Sequence, residues 1–438
     1  MKRAVFFLAI TLLFIASSSA QATIDSIYNY QKLNKSLRFA QLTLGGDVLC
    51  ASGGRSTMQG SERSFGMGMQ PRFTIGGLHF WGHTDFYVTF PLGINFQQKT
   101  DFSTRLRHTE GVETGMKIYP WALRPGRLRP YIGFGFQPFS FRYKAKGNET
   151  EHGAAIFERF IAPPQAGVTY ATRHYLFTAG LRVYTKRSFN YYELPTQQAQ
   201  IDMQPFGFTL GILRYMDTDV GMGTPRGVQQ QNIMYHILKE NKRLDAWYWG
   251  IGPSAALQMS KSSLLKQKYP YLANTSLSSF LMPDLTFGRY FSKPDLHVGF
   301  TARPMFFKVR AFDAQLRMQR LTAGIEACKF LFDYHGFVPF AGPMVSVEYL
   351  NLEENGIQTA KKLQPSIGIA FGWDIRLTQT GTSLLRTNLR YVPGLNLKTD
   401  EGEKVMFDHL EFNFIQYVTF IGRKKLYRKY ASSAARAK

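Results

Sequence analysis

Apolar and polar residues alternate with a period of two along most of this chain, as expected of strands with two different faces. Glycine alternates with large apolar residues over 131–136, and apolar residues alternate with polar ones over 411–416. The pattern predicts two sets of eight strand-like runs. The first set falls near 37–50, 65–76, 84–96, 104–120, 129–143, 161–171, 174–186 and 204–216. The second falls near 246–259, 280–290, 295–308, 315–333, 337–350, 363–376, 383–393 and 407–421.

Long and short connectors alternate between these runs. The sixth connector of the first set is only Thr172-Arg173, whereas its neighbours at 144–160 and 187–203 are long and polar. In the second set, the long connectors are the first, fifth and seventh, at 261–279, 351–362 and 394–406. Outer-membrane barrels have long extracellular loops and short periplasmic turns. We therefore predict that the odd connectors, 144–160 and 351–362 among them, face outside, and that each set begins on the periplasmic side.

One short pattern occurs twice. Tyr-x-x-x-Lys-x-Asn-Lys-x-Leu stands at 28–37 and again at 235–244, a shift of 207 positions (235 − 28), and the same shift carries Gly45 onto Gly252. Each copy lies in a polar prelude, predicted to contain a short helix, that precedes one set of runs. The repeat therefore predicts a duplicated module made of a prelude and eight strands.

The first residues have the pattern of a cleavable secretion signal. A basic start is followed by an apolar stretch at 4–16 and by small residues up to Ala22. This stretch is too short to cross ~30 Å of hydrocarbon as a helix. The chain is accordingly divided into a signal peptide, a first eight-stranded repeat, a periplasmic linker with the repeated helical prelude, a second eight-stranded repeat and a basic tail, at 1–22, 23–216, 217–245, 246–421 and 422–438.

A resemblance to known barrels lies in two adjacent segments. ETGMKIYP at 113–120 and LRPYIGFG at 128–135 resemble the fourth and fifth strands of the OmpA/OmpX-like and PorT-like families. The resemblance implies an all-β fold, a transmembrane outer-membrane β-barrel with antiparallel strands, in the outer membrane of a Gram-negative cell envelope. Two arrangements are open: tandem eight-stranded barrels, or one merged barrel of about sixteen strands. The second prelude favours the tandem arrangement, because a merged barrel would need only a short turn there.

The net charge of +23 concerns association rather than fold. Outer-membrane lipid is the expected partner, with lipopolysaccharide or peptidoglycan as candidates that basic segments would contact. A basic tail follows Phe420 and includes Arg423, and it is either a contact of this kind or a solvated end. A secreted barrel would rarely meet nucleic acid, so we expect no nucleic-acid partner. Cys50 and Cys328 lack any motif spacing, and we expect two unpaired thiols.

No local motif for catalysis or metal binding is present. The nine histidines include no HExxH pair, and the chain has neither a Gly-x-Ser-x-Gly elbow nor a phosphate-binding glycine loop. We therefore expect a protein that is not an enzyme and that has no cofactor and no metal. A catalytic set assembled across several strands would leave no local motif, so a membrane-embedded enzyme stays open as an alternative.

Charged residues inside predicted strands are the candidate functional residues. A basic side chain that faces lipid near the midplane costs ~2–4 kcal/mol, so these residues are expected to point inward. The expected partner of Lys117 is Glu113 or a carboxylate of a neighbouring strand. The candidate barrel-interior polar residues are Glu113, Lys117, Arg142, Arg182 and Glu348.

Two functions correspond to the two interiors. An eight-stranded barrel is just filled by its side chains, so these residues would form a salt-bridged plug. Such a protein would have an envelope-associated structural or anchoring role. A wider barrel would be a porin-like channel for small solutes, anionic ones among them.

Overall fold

The structure, a computed structural model, describes the two strand-rich halves of the chain and part of the segment between them. The predicted signal peptide, the first prelude and the end of the basic tail lie outside the described residues. Of the second prelude, 236–238 and 240 are described and helical. Within the described part of the chain, no helix is long and apolar enough to cross a membrane. The described residues are 41–51, 53–58, 61–94, 96–97, 104–145, 153, 155–217, 236–238, 240, 244–260, 262–272, 279–333, 337–376 and 381–426.

In its described residues, the first half consists of strands and one short 3₁₀ turn, Phe80–Gly82. The strands are β1 (Gln41–Ala51), β2 (Gly54–Met58), β3 (Ser61–Phe65), β4 (Gly68–His79), β5 (Thr84–Pro91), β6 (Phe96–Gln97), β7 (Thr104–Glu110), β8 (Glu113–Ile118), β9 (Arg127–Ala145), β10 (Phe157–Ile161), β11 (Pro164–Ala171), β12 (Tyr175–Val183), β13 (Ser188–Tyr192), β14 (Gln198–Met203) and β15 (Phe206–Asp217).

Eight of these strands form a closed antiparallel ring. The order around it is β1-β15-β12-β11-β9-β8-β5-β4, and β4 pairs back onto β1. Leu44 shows the closure, because it is paired with Arg214 on one side and with Ile75 on the other. A closed ring leaves no unpaired strand edge, which is what a hydrocarbon environment requires.

The second half also contains a short helix, α1 (Ser263–Gln267), and a 3₁₀ turn, Pro270–Leu272. Eight long strands close into a barrel in the order β16-β17-β18-β19-β20-β21-β22-β25. The strands are β16 (Ala246–Gln258), β17 (Ser279–Phe291), β18 (Leu296–Ala311), β19 (Ala314–Phe330), β20 (Phe337–Glu354), β21 (Ile357–Ile375), β22 (Ser383–Tyr391), β23 (Asn396–Lys398), β24 (Lys404–Met406) and β25 (His409–Phe420).

The two halves close separately. Among the described strands, no ladder joins one half to the other. The structure therefore has the tandem arrangement of two eight-stranded barrels and not the merged barrel of about sixteen strands. The segments that resembled the fourth and fifth strands of small barrels lie on β8 and β9, which are the fourth and fifth strands of the first ring.

Alternation along the strands separates a polar interior from an apolar exterior. On β9, Tyr131 is 2% exposed, whereas Ile132 and Phe134 are 60% and 49% exposed. On β22, Arg386 and Arg390 are buried inside the barrel. A period of two places successive side chains on opposite faces, so one strand can meet both environments.

The prediction of a long connector at 351–362 is wrong. β20 continues to Glu354 and β21 begins at Ile357, so only Asn355 and Gly356 form the turn. Their φ angles of 50° and 84° are the positive values that a tight type I′ hairpin requires. The segment is polar because this hairpin extends beyond the apolar belt, and polarity alone does not distinguish a loop from a solvated ladder.

Arg423, placed in the predicted basic tail, is part of the folded barrel. It is buried, and its guanidinium donates to the carbonyl oxygens of Leu244 at 2.7 Å and Gly381 at 3.2 Å. The guanidinium also lies 4.1 Å from the ring centroid of Phe420. This residue therefore closes the end of the second barrel at which the chain enters and leaves.

Candidate functional site

The middle of the first barrel is filled by an ion-pair network. Arg72 on β4 lies 2.6 Å from Asp47 on β1 and 2.7 Å from Glu113 on β8. Arg182 on β12 reaches the same Glu113 from the far side of the ring at 2.5 Å. The four side chains thus connect strands all around the barrel. Charge-assisted bonds of this kind are the stronger hydrogen bonds, and here they cross the interior.

A second layer of polar contacts, centred on Glu110, lies next to this network on the side of the barrel away from the chain start. Arg182 also contacts Glu110 at 3.2 Å, and the hydroxyl of Tyr184 donates to Glu110 at 2.6 Å. The side-chain amide of Gln137 donates to the other oxygen of Glu110. Arg182 is therefore shared by two buried carboxylates.

Glycines create the space that this network occupies. A Cβ atom on Gly135 would lie 2.0 Å from Oε1 of Glu113, and one on Gly115 would lie 2.2 Å from the hydroxyl of Tyr87. That hydroxyl donates to Glu113 at 2.7 Å. Gly135 on β9 is thus explained by a bulky acid on the neighbouring strand.

Lys117 lies nearer the chain start and belongs to a different pair. Its ammonium group is 3.5 Å from Asp85, on the adjacent strand β5. The rings of Tyr87 and Tyr131 lie 4.9 and 5.4 Å from the same nitrogen. The neighbouring-strand carboxylate, rather than Glu113, is therefore its ion-pair partner.

The second barrel has a comparable middle layer. Arg390 on β22 contacts Glu326 on β19 at 2.8 Å and Asp284 on β17 at 2.5 Å. Asn413 on β25 donates to the same Asp284 at 2.7 Å. All four side chains are at most 2% exposed.

Further ion pairs fill the outer part of this interior. Arg303 contacts Glu411 at 2.5 Å, and Glu411 contacts Arg320 at 2.9 Å. Arg320 then contacts Glu348 at 2.9 Å, so the chain of charges joins β18, β25, β19 and β20. The hydroxyls of Thr322 and Ser346 donate to Glu348 at 2.6 and 2.7 Å.

The inner end of the second barrel is filled as well. Arg386 contacts Asp374 through two bonds of 2.7 and 3.0 Å. Its guanidinium also lies over the rings of Tyr248 and Phe340, at 5.3 and 5.0 Å. The barrel thus contains polar layers at three levels between its two ends.

Four of the five candidate interior residues are described with their side chains. Glu113, Lys117 and Arg182 lie inside the first barrel, and Glu348 lies inside the second. Arg142 lies on the outer part of β9, and its side chain is outside the described set. The partners that sequence reasoning missed are Asp47, Arg72, Asp85, Glu110, Asp284, Arg303, Arg320, Glu326, Asp374, Arg386, Arg390 and Glu411.

A repeated local signal marks some of these partners. Arg386, Asn388 and Arg390 occupy every second position of β22. Polar residues at alternate positions of a barrel strand face the interior. Which of them meet across the barrel depends on strand register, which no local pattern contains.

Apolar caps cover the outer ends of both interiors. Above the first, aromatic residues from the outer part of β9 and from the short strands β3, β10 and β13 pack together, with Phe139 stacked on Phe189 at 5.5 Å. Above the second, α1 and the β23–β24 hairpin form an apolar cluster. Arg320 donates to the carbonyl oxygen of Phe407 at 3.3 Å and so joins this cap to the charged layer.

Glu354 ties the second cap to the rim of the barrel. It lies 3.1 Å from the ammonium group of Lys268 and accepts a hydrogen bond of 2.9 Å from the hydroxyl of Tyr269. The hydrogen bond to Glu354 raises the pKa of Lys268 above its ordinary value. Burial, together with the bond to Glu354, raises the pKa of Tyr269 to about 12.

The outer faces of the two barrels contact each other. Phe86 and Trp373 approach to 6.0 Å between ring centroids, and Phe80 and Phe337 to 5.8 Å. Farther from the chain ends, the amide of Phe312 donates to the carbonyl oxygen of Gly153 at 2.7 Å. Between these contacts lies an apolar cavity of about 410 Å³.

Within the described part of the chain, no group of three or more histidine, cysteine, aspartate or glutamate side chains is arranged to hold a metal ion. Cys50 and Cys328 are free thiols. The interior carboxylates described above contact cations or hydroxyls, so their chemistry is that of structural ion pairs.

No family model and no curated protein matches the chain. The solved structures that match it include outer-membrane β-barrel proteins. Neisserial surface protein A is 15% identical, with 40% of this chain and 96% of that chain covered and a TM-score of 0.26. OprG from Pseudomonas aeruginosa is 12% identical, with 42% and 100% covered and a TM-score of 0.30. An outer-membrane channel from Pseudomonas putida F1 is 8% identical, with 89% and 99% covered and a TM-score of 0.21.

Proposed function

We propose that this protein is a non-enzymatic integral outer-membrane protein with an envelope-associated structural or anchoring role. The observation that carries the proposal is the filled interior of both barrels. A polar path through either one would have to open ion pairs at several levels. Breaking a buried pair costs ~3–5 kcal/mol, so an open channel would be rare in this fold.

The outer surface supports a place in the membrane. Large apolar side chains face outward along both rings, and a strand of ~9–11 tilted residues suffices to cross a bilayer. Eight-stranded closed barrels with a polar interior and an apolar exterior are typical of outer membranes. The outward residues include Ile132, Phe134, Phe208, Leu210, Ile212, Phe287, Phe300, Ile325, Val345, Ile367 and Ile369.

Orientation follows from the connectors. The turns near the chain ends, such as Phe80–Gly82, are short, whereas the opposite ends carry the sheets and caps. We propose that the short turns face the periplasm, as in other outer-membrane barrels.

This orientation is tested by labelling single cysteines in a chain whose Cys50 and Cys328 are replaced by serine. In intact cells, a membrane-impermeant maleimide should label Asn355→Cys but not Arg124→Cys. Arg124 lies in a short turn of the first barrel and should react only after the outer membrane is disrupted. The reverse result would invert the topology.

The duplication predicted from the sequence gains support from the interiors. In each barrel, a glutamate on the fourth strand pairs with an arginine on the seventh, as Glu113 with Arg182 and as Glu326 with Arg390. Gly45 and Gly252, which the shift of 207 relates, both lie on the first strand of their ring. We propose that two complete modules were duplicated and that their interiors then diverged.

Planar-bilayer recording separates this function from a porin-like channel. The full-length protein should insert without stable open steps, and a sixteen-stranded porin in the same bilayers serves as the control for detection. Steady conductance steps from the full-length protein would contradict the plugged barrels and would favour a channel for small solutes.

A further inference from the structure

The outward face of β18 to β21 changes from apolar to basic within a short distance. Strand register aligns Phe300 with Ile325, Val345 and Ile367 in one row across the four strands. The next outward-facing row, two residues farther from the chain ends on each strand, is still apolar. The row after it contains Leu321, Tyr349 and Leu363 in register. These rows belong to the belt that faces hydrocarbon.

Cations begin immediately beyond the belt. The next outward row contains Lys361, in register with Asn351, and the row after it pairs Lys308 directly with Arg317. Arg310 follows two residues after Lys308 on the same face. Lys308, Arg310, Arg317 and Lys361 are all exposed, and we refer to these four residues as the basic band.

The basic band is only partly neutralised by the protein. Within the described residues, Glu353 is the acid that pairs with it, 3.7 Å from Arg317. Like charges directly opposite on adjacent strands destabilise a sheet, and Lys308 and Arg317 are such a pair. An anion with more than one negative charge, placed between these strands, would remove that repulsion.

The apolar side chains beside the basic band indicate that the ligand also has an apolar part. Phe306 and Leu363 are 54% and 68% exposed beside the cations, so a bound anion there would also meet acyl chains. A polyanionic headgroup joined to several acyl chains fits both features. Free phosphate would contact only the cations, and the adjoining apolar side chains would then contribute nothing to its binding.

The named interior networks do not account for the cationic excess of the chain. In the first barrel, three cations, Arg72, Arg182 and Lys117, face four carboxylates. In the second, the five carboxylates of the ion pairs are matched by five arginines, Arg303, Arg320, Arg376, Arg386 and Arg390. The net charge of +23 must therefore come from other parts of the chain, such as the basic band.

We propose that the basic band binds the phosphate groups of the phosphorylated glycolipid of the outer leaflet, the lipid A part of lipopolysaccharide. The proposal rests on the proposed outer-membrane function and orientation, because these place the band at the outer surface. Basic residues near an anionic membrane surface strengthen the binding of its charged headgroups, and the band brings four such residues together.

The test measures binding of purified lipid A to the full-length protein in neutral detergent, by native mass spectrometry. Replacing all four residues with glutamine should weaken lipid A binding by about tenfold or more. Dephosphorylated lipid A should bind the unmodified protein as weakly as lipid A binds the variant. A matched variant replaces Arg124, Arg127, Arg173 and Arg214, four exposed cations near the short turns of the first barrel, and should retain lipid A.

Equal binding of lipid A to the unmodified protein and to the four-residue variant would overturn the proposal. Binding of phosphatidylglycerol as tight as that of lipid A would also overturn it, since it would show a surface selective for charge alone. Heat-modifiable migration of the variant on gels confirms that it is folded. Conductance and labelling test the proposed function separately, so a conducting protein that still binds lipid A would contradict only that function.

Discussion

Arg182 is the residue on which the interior of the first barrel depends most. It is 2% exposed and contacts both Glu110 and Glu113, which are themselves buried. A carboxylate left without its cation in a low-dielectric interior keeps the full cost of its lost hydration. The importance of this arginine therefore comes less from the energy of the pair than from the two charges that it neutralises.

Replacing Arg182 with leucine should destabilise the first barrel by ~3–5 kcal/mol, because two buried acids lose a shared partner. The measurement is the temperature at which the heat-modifiable band disappears from a gel. Arg55→Leu is the control, since Arg55 pairs with Glu62 in an exposed position and such pairs contribute ~0–1 kcal/mol. Equal melting temperatures for the two variants would contradict the interior role.

Lys117 offers a second test, because its pair can be removed as a unit. Lys117→Leu alone should lower the melting temperature of the barrel, since Asp85 is left charged and fully buried. Adding Asp85→Leu should restore part of the loss, because replacing both members of a buried pair by apolar residues is often close to neutral. A double variant that melts below Lys117→Leu would show that Asp85 has another partner more important than Lys117.

At the scale of single residues, the sequence predicted which charged residues point into a barrel but not which residues they contact there. The cost of exposing charge to lipid was enough to select Glu113, Arg182 and Glu348 as candidates. Arg182 and Glu113 are 69 positions apart (182 − 113), and they meet because the ring brings β12 to face β8. That meeting depends on the stagger of the strands, which is a property of the closed barrel and not of either segment.

Strands beyond the apolar belt form the outer structures of this protein. β20 and β21 have 18 and 19 residues, well above the ~9–11 that cross a bilayer, and they continue as a ladder to the Asn355–Gly356 turn. Period-two alternation predicted the membrane-crossing parts correctly. It failed at 351–362 because the lipid-facing apolar positions end there, although Leu352 on the other face is still buried beneath the cap.

The attachment of α1 to this extended hairpin can be tested. Glu354→Gln should release the α1 segment, because the ion pair with Lys268 is lost and the hydrogen bond from Tyr269 loses its charged acceptor. Limited trypsin digestion should then cut faster after Lys266 and Lys268 than in the unmodified protein. Glu353→Gln is the matched control on the adjacent residue.

The cut rate at these lysines should be unchanged in the Glu353→Gln variant. An unchanged rate in the Glu354→Gln variant as well would show that the apolar contacts of Leu264 and Leu265 hold the segment without help from the rim. The expected difference reflects burial: Glu354 is 6% exposed, so its contacts are screened less by solvent than those of a surface pair.

At the scale of the whole molecule, the two barrels contact each other through faces that would otherwise meet lipid. Val88, Ala255 and Phe414 form one apolar cluster across that contact. An outward apolar face has the same sequence pattern whether it meets hydrocarbon or another barrel. The contact was therefore not predictable from alternation, although the separate closure of each half was favoured by the second prelude.

Separate closure gives the last prediction. Every ladder of the first ring is made from strands between Gln41 and Asp217, and β1 pairs with both β15 and β4. A fragment of 23–216, refolded in detergent, should therefore give a monomeric, heat-modifiable barrel. Its outward apolar face would be covered by detergent in place of the second barrel.

If the ring needed strands of the other half, the fragment would expose two unpaired edges, and an open edge is not tolerated in hydrocarbon. Light scattering that found only dimers or aggregates would show that the first ring cannot close without the second, and the anchoring function of two independent plugs would have to be abandoned.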